Sequence, residues 1–329
     1  MVHDDGTTVL RVSGAPGSQI VGIGHHRPQR VVDNEVLAAM VDTSDEWIRT
    51  RTGIVTRHWA GDGDTVPAMA QRAAEHALAS AGLGGAEVDL VVVASTTAEH
   101  RSPNVAGIVA AALDVRGAAV IDVNVACSGF VHALALADMS IRTGAAQRAL
   151  VIGSERLTAF TDMTDRSTCV LTADGAGAVV LASADVPGIG PVAWGSAPEL
   201  VQAVRIRPPS NVFEQDGRAV YRWALTHGAA AARRAIELAE IAPESIDVLV
   251  THQANLRIIE PLAEQLGMTD RIVVTDVVSS GNTSAASIPL GLSRWWHDGR
   301  IEPGAFALLF GFGGGFAYAS LIARLPSTR

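Results

Sequence analysis

Apolar and polar positions along the chain switch period repeatedly. Thr65–Ala81 carries apolar residues at helical spacing, and Val88–Ala94 follows as a short apolar run of the kind that fills a buried strand. The pairing recurs with a helix over Asn104–Leu113 and a strand over Ala119–Val123, then a helix over Ser128–Gly144 and a strand over Ala149–Gly153. Further on, helical periodicity covers Ala219–Glu240, Leu256–Leu266 and Thr283–Asp298, and extended segments cover Ile246–Thr251, Arg271–Asp276 and Ala305–Phe310. Such alternation predicts α/β layers with helices covering a sheet on both faces. It runs twice, over residues 1–185 and 186–329, and each half ends in small-residue strand text, Gly175–Ser183 and Gly314–Ala323. A duplicated α/β unit accounts for that. Pro187–Asp216 lies between the halves with scattered prolines and little periodicity, and reads as an irregular connector.

Pro303–Ala323 is uncharged over a length that approaches a membrane span. Its five glycines, Gly304, Gly311, Gly313, Gly314 and Gly315, favour two buried strands, Ala305–Phe310 and Phe316–Ile322, joined by a glycine turn. The net charge of −9 excludes a global basic field for nucleic acid. Two cysteines make no disulfide scaffold and suit a reducing compartment, so the expected location is cytoplasmic. Met1–Gly6 holds two aspartates and no apolar run, unlike a signal peptide. The histidines show no metal spacing, and His25–His26 reads as a surface pair in a loop.

Cys127 falls between the strand Ala119–Val123 and the helix that follows, a position where backbone N–H groups and the helix dipole stabilise a thiolate. The other reading is a buried structural cysteine, as for Cys169 in its apolar run. His252 follows the strand Ile246–Val250, where α/β sites gather, and reads equally as a core or capping histidine. Asn282 opens a helix and is by default a cap. The glycines of GFGGGF (Gly311–Phe316) suit a backbone that approaches something closely. Together, a thiol, a ring nitrogen and an amide that each follow a strand point to acyl transfer.

Six segments in series carry a resemblance: TSDEWIRTRTGI (Thr43–Ile54), ACSGF (Ala126–Phe130), TDRST (Thr164–Thr168), HQANLRII (His252–Ile259), GNTSAASIP (Gly281–Pro289) and GFGGGF. The chain resembles the β-ketoacyl-acyl carrier protein synthase III family of the thiolase-like superfamily from about Ile20 to Leu325. The resemblance implies a duplicated five-layer αβαβα fold, a homodimer, and no permanently bound cofactor. It implies that Cys127 takes an acyl group from acyl-CoA, and that His252 and Asn282 stabilise the enolate formed as malonyl-acyl carrier protein loses carbon dioxide. The backbone N–H groups of Cys127 and Gly314 map to the oxyanion hole. Trp47 and Arg166 map to a pair that sandwiches adenine, Arg51 to a phosphate contact, and Asn255 to a residue near the pantetheine arm. Arg222 and Arg257 map to the carrier-protein patch, with Arg218, Arg233 and Arg234 as unmatched neighbours; Arg233 and Arg234 read equally as a solvated helix face.

The chain also departs from the family pattern. Ser102 stands where many members place a large apolar residue across the dimer at the end of the acyl pocket. LTADGAG (Leu171–Gly177) replaces FGDGAG, which puts Thr172 and Ala173 near the pocket. The segment between Trp194 and Asp216 is short. These departures predict a primer other than acetyl, as in specialised priming of polyketide assembly. The competing reading keeps the fold and Cys127 but moves the acyl group to a hydroxyl, amine or carrier thiol without decarboxylation. Relatives that do so often carry Asp in place of Asn282. A non-catalytic subunit fits poorly with Cys127, His252 and Asn282 all present, and a thiolase needs a second active-site cysteine.

Overall fold

The computed structural model describes residues 14–329, so the leader reading of Met1–Gly6 lies outside the described residues. The first half runs β1 (Gly17–His26), β2 (Arg30–Asp33), α1 (Asn34–Ala38), α2 (Asp45–Thr52), β3 (Thr56–Trp59), α3 (Val66–Ala81), β4 (Leu90–Ala94), α4 (Val105–Ala112), β5 (Ala119–Val123), α5 (Gly129–Arg142), β6 (Arg148–Arg156), α6 (Arg166–Cys169) and β7 (Asp174–Ala184). The second runs β8 (Ala193–Ser196), β9 (Val204–Arg207), β10 (Val212–Gln215), α7 (Gly217–Trp223), α8 (Ala229–Ala239), β11 (Val248–Thr251), α9 (Leu256–Leu266), β12 (Ile272–Val273), α10 (Val277–Ser280), α11 (Ser287–His297), β13 (Phe306–Gly313) and β14 (Ala317–Arg324).

Two mixed five-stranded sheets result, with orders β1-β7-β6-β4-β5 and β12-β11-β13-β14-β8. All strands of the first come from residues 17–184 and all of the second from 193–324. The central strands are continuous apolar runs because helices cover both their faces: every residue of β4 is buried. Helices α5 and α11 lie between the sheets, in one core with Phe130, Leu134, Ile288, Trp296 and Leu309. Helices α3 and α4 cover the outer face of the first sheet, and α8 and α9 that of the second. The layers are therefore α, β, α, β, α. Helix ends follow local chemistry: the Thr65 hydroxyl accepts from Ala68 N at the start of α3, and Gly82 ends it in the left-handed conformation.

The apolar text of Pro303–Ala323 forms the hairpin β13–β14, and no helix among the described residues is long and apolar enough to cross a membrane. Four expectations need correction. Pro187–Asp216 is not irregular: β8 pairs with β14, and β9 with β10, but strands of four residues leave too few positions to show a period. The extended segment Arg271–Asp276 contributes only Ile272–Val273 to the sheet. The helix over Ala219–Glu240 is broken into α7 and α8 by a π turn at Ala224–Gly228, because periodicity is blind to one widened turn. His25 and His26 end strand β1 rather than lying in a surface loop. The His25 ring packs 5.1 Å from His76 and its Nδ1 lies 2.9 Å from Ser293 Oγ, because α3 and α11 flank the end of that strand.

Candidate active site

Cys127 lies in the 3-10 turn Ala126–Ser128 that leads into α5. Its floor is strand β13. A Cβ at Gly313 would fall 2.8 Å from Cys127 Sγ, so only glycine lets the two segments meet. On the other side stands the turn Ser284–Ala286, just after Asn282, with Ser284 Oγ 3.6 Å from Cys127 Sγ. Two non-glycine residues at this junction, Ala126 at φ 44° and Ser284 at φ 47°, hold left-handed backbone. Strain of that kind persists only where surrounding packing imposes it.

His252 follows β11, and its N–H donates to Phe310 O on β13. Its Nδ1 lies 2.7 Å from Ser287 Oγ at the start of α11, and its ring stands edge-on to Phe312, 6.0 Å between centroids. Asn282 is pinned through both backbone and side chain. Its N–H donates to Leu171 O, its carbonyl accepts from Ala173 N, and its Oδ1 accepts from Ser284 N at 2.9 Å. Spending Oδ1 on the chain orients the amide so that its NH₂ group is the free end. The ends of β11 and β13, the start of α5 and the turns before α11 thus bring Cys127, His252 and Asn282 into one buried junction between the sheets.

Burial dominates the electrostatics. It pushes the Cys127 thiol up to about 11, reinforced by the Glu155 charge and opposed by the Ser284 hydroxyl and the Gly314 N–H. The expectation of a thiolate held by the helix start is therefore corrected: desolvation outweighs the backbone donors, and the resting group is a thiol. Burial likewise holds His252 down at about 3, so the ring is neutral. Cys169 is buried in a separate core with Ile48, Ile54 and Val170, as expected of a structural cysteine.

Beside Cys127 lies a cavity of about 490 Å³ lined by Thr96, Leu157, Arg205, Phe213 and Gly314 among others. A surface groove of about 800 Å³ is lined by Trp47, Arg51, Leu171, Arg218 and Asn255. Arg205, paired with Glu214 across the β9–β10 hairpin, lines both spaces. Arg166 stacks over Trp47, 4.9 Å from its centroid, at the groove. Asn255 caps α9 through Arg257 N and donates to Arg51 O, tying α9 to α2. Arg222 and Arg257 are exposed on neighbouring helices, with Arg257 lying 5.8 Å from the Tyr221 centroid. Arg233 and Arg234 are engaged elsewhere, with Gln265 O and Glu237.

Thr172 is buried, bridged to Asn282 and bonded to Thr161, and does not line the cavity. Ser102 sits in an exposed loop away from its own chain's cavity. Sequence reasoning missed Glu155, Ser284 and Ser287. The signal for Glu155 was a charged residue just beyond a wholly apolar strand, where full burial is rare. Among the described residues no cluster of His, Cys, Asp and Glu could hold a metal.

A doubly layered sheet pair with a buried cysteine, histidine and asparagine at its centre defines a thiolase-like fold. Comparison with known proteins narrows this. The profile of the 3-oxoacyl-[acyl-carrier-protein] synthase III family matches residues 121–198, and that of its C-terminal region matches residues 236–325. The chain is 55% identical over 313 residues to β-ketoacyl-[acyl-carrier-protein] synthase III 2 of Streptomyces avermitilis, covering 94% of this chain and 99% of the relative. It is 54% identical, with the same coverage, to synthase III 4 of Streptomyces coelicolor. The priming β-ketosynthase of the R1128 polyketide biosynthetic pathway superposes with a TM-score of 0.94 at 37% identity, over 98% of this chain and 100% of that one. The synthase III of Aquifex aeolicus gives 0.90 at 38%, over 94% and 100%. The chain belongs to the β-ketoacyl-[acyl-carrier-protein] synthase III family.

Proposed function

We propose that this chain primes chain assembly by decarboxylative condensation of an acyl-CoA with malonyl-acyl carrier protein, by way of an acyl thioester on Cys127. The observation that carries the reading is the meeting of Cys127, His252 and Asn282 at one junction, with a cavity beside the sulfur for the acyl chain. The acyl-CoA enters along the groove. Trp47 and Arg166 hold its base, Arg51 a phosphate, and Asn255 the wall along its arm. Cys127 attacks the thioester carbon and coenzyme A leaves as a thiol. Malonyl-carrier protein then docks through Arg222 and Arg257, whose charge complements an acidic partner.

Its thioester oxygen sits against His252 and Asn282. Ser287 Oγ accepts from Gln253 N at 3.2 Å and lies 2.7 Å from His252 Nδ1; in the tautomer this reading requires, the hydroxyl donates to Nδ1. This leaves Nε2–H as a donor. A neutral imidazole and an amide both donate without titrating, which suits the enolate produced when carbon dioxide leaves. The carbanion attacks the acyl carbon on Cys127. The backbone N–H groups of Cys127 and Gly314 stabilise the oxyanion; its collapse breaks the C–S bond to Cys127, the β-ketoacyl carrier protein departs, and the freed thiolate regains a proton from water.

The chain works as a homodimer on this reading. Strand β5 is the free edge of its sheet, with Val120 and Ile121 exposed on it, and such an edge invites pairing with a second copy. Asn104 Nδ2 donates to Val120 O, so the Ser102 loop runs beside that edge, and on this reading it reaches the partner's acyl cavity. A small serine there leaves room for a primer other than acetyl. The two halves divide at residues 185 and 186, and the enzyme works in the cytoplasm.

Intact-protein mass spectrometry tests the reading. The enzyme is incubated with acyl-CoAs from acetyl to octanoyl, branched ones included, and then with malonyl-carrier protein. One acyl mass on Cys127 that leaves as a β-ketoacyl carrier protein two carbons longer supports it. An acyl mass that malonyl-carrier protein does not discharge favours simple acyl transfer, and an acyl mass on Cys127→Ala overturns the assignment of the nucleophile.

A further inference from the structure

The Cys127 thiol must lose a proton when it attacks a thioester, and burial raises it well above neutral pH. Its side-chain hydrogen-bond partner is the Ser284 hydroxyl, 3.6 Å away. Behind that turn lies Glu155, fully buried at the end of β6. The strand and the turn are pressed together: a Cβ at Gly153 would fall 2.5 Å from Ala285 O. Glu155 accepts from Thr96 N at 3.1 Å, Thr97 N at 3.1 Å, Ser95 Oγ at 3.2 Å and Ala285 N at 3.4 Å, and from the Thr97 hydroxyl. The Ser284 hydroxyl, next to Ala285 in the same turn, favours the charged form of Glu155.

Such a shell stabilises a carboxylate without a cation, and Glu155 has no ion pair among the described residues. The titratable group facing it is Cys127. On the paired strand, Asp174 is spent on Ala60 N and Thr158, with Arg156 beside it. Among the described residues the charge here therefore belongs to Glu155 alone, and none of the steps assigned to His252 and Asn282 uses it.

We propose that Glu155 receives the Cys127 thiol proton through the Ser284 hydroxyl as Cys127 becomes acylated. The inference rests on Cys127 as the nucleophile. The Cys127 S–H bond breaks while its sulfur bonds the acyl carbon. The thiol proton passes to Ser284 Oγ as the Ser284 proton passes to Glu155, and the C–S bond to coenzyme A breaks when the adduct collapses. The proton then returns through Ser284 to the departing thiolate, so nothing is oxidised or reduced and Glu155 is regenerated as a carboxylate. Burial raises Glu155 to about 7, which makes it a stronger base than a surface glutamate and leaves much of it ionised at neutral pH.

The test is single-turnover acylation of Cys127, followed by intact mass as a function of pH, using whichever of acetyl-CoA and isobutyryl-CoA labels faster. Wild type is compared with Ser284→Ala, Glu155→Gln and Glu155→Asp. Decarboxylation of malonyl-carrier protein, which moves no thiol proton, is measured in parallel. In wild type the acylation rate rises with pH through a midpoint near that of Glu155. Ser284→Ala and Glu155→Gln lose this limb and fall by about tenfold to a hundredfold at neutral pH, while decarboxylation changes little. Glu155→Asp keeps a limb, displaced in pH. A limb unchanged in Ser284→Ala overturns the relay, as does decarboxylation that falls in step with acylation. Ser284→Ala leaves the Glu155 carboxylate in place, so the test stands even if Glu155→Gln fails to fold. Acyl mass on Cys127→Ala would instead overturn the nucleophile, a result distinct from failure of the relay.

Discussion

The Ser287 hydroxyl lies 2.7 Å from His252 Nδ1 and 3.2 Å from Gln253 N, so one side chain meets both the ring and the backbone that carries it. A hydroxyl can accept from the N–H and still donate to the ring, whereas an alanine methyl can do neither. Ser287→Ala should therefore leave acylation of Cys127 nearly intact and slow decarboxylation by about tenfold to a hundredfold. Separate assays of the two half-reactions check this, and equal slowing of both would remove the assigned role.

Gly313 makes a sharper case. A methyl group there would lie 2.7 Å from Cys127 Cβ and 2.8 Å from its sulfur. Gly313→Ala should abolish acylation and cost about 1–3 kcal/mol of stability from overpacking. Mass labelling and calorimetry on the same sample read both effects.

At the groove, Arg166 lies 4.9 Å from the Trp47 centroid, and a flat ring inserted between them needs about 7 Å. The arginine is also tethered by its bond to Asp42 O at 2.6 Å. Binding of the base would lift Arg166 off the indole. Arg166→Ala and Trp47→Ala should each raise KM for acyl-CoA by about twofold to thirtyfold with kcat little changed. Steady-state kinetics test that split, and a fall in kcat at constant KM would contradict it.

Acid should destabilise the fold through its buried histidines. His25 is held at about 3 by burial and by His76 and His297, and His252 at about 3 by burial. Unfolded histidine titrates near about 6.5. Between these values the unfolded chain binds protons that the folded chain does not, so stability falls as pH drops. The loss is up to about 1.4 kcal/mol per pH unit for each histidine. Glu155, raised to about 7, acts oppositely between about 4.3 and 7, where unfolding releases its proton. Burial also lowers His26, His58, His76 and His132 and raises Asp174, so the histidines outnumber the carboxyls and the net is a loss on acidification below about 6.5. Melting temperatures at a series of pH values should show it, with a shallower decline in His25→Gln.

The free edge of the first sheet gives a prediction about assembly. Ile121→Asp places a charge on the exposed edge strand β5, where the Ile121 side chain is 45% exposed. The variant should remain folded and shift toward monomer, read by light scattering on a sizing column. A dimer unaffected by it would place the interface elsewhere.

Much of this protein was legible in its amino-acid order. Helix α9 falls at the boundaries that periodicity gives, because its amphipathic stripe records which face is covered; strand β5 falls at its expected boundaries too, though its apolar run lies exposed at the sheet edge. Cys127, His252 and Asn282 were visible as chemistry-bearing residues, each following a strand, and the six motifs in series marked the family. The short strands β8, β9 and β10 left no trace, because four residues hold too little pattern and their partners are fixed by pairing.

The tertiary structure alone decided the electrostatics and the company each residue keeps. Local position favoured a thiolate at Cys127, but the packing of β13 and the turn at Ser284 around it removes water and makes it a thiol. His25 is a surface histidine by its neighbours in the chain and a half-buried one by its neighbours in space. Glu155 and Ser284 stand 129 residues apart in order, yet the close approach permitted by Gly153 sets them behind the same sulfur. Sequence records the solvent exposure of faces because burial is repeated along an element. Desolvation and contact depend on which distant segments close over a group, and no local pattern encodes that.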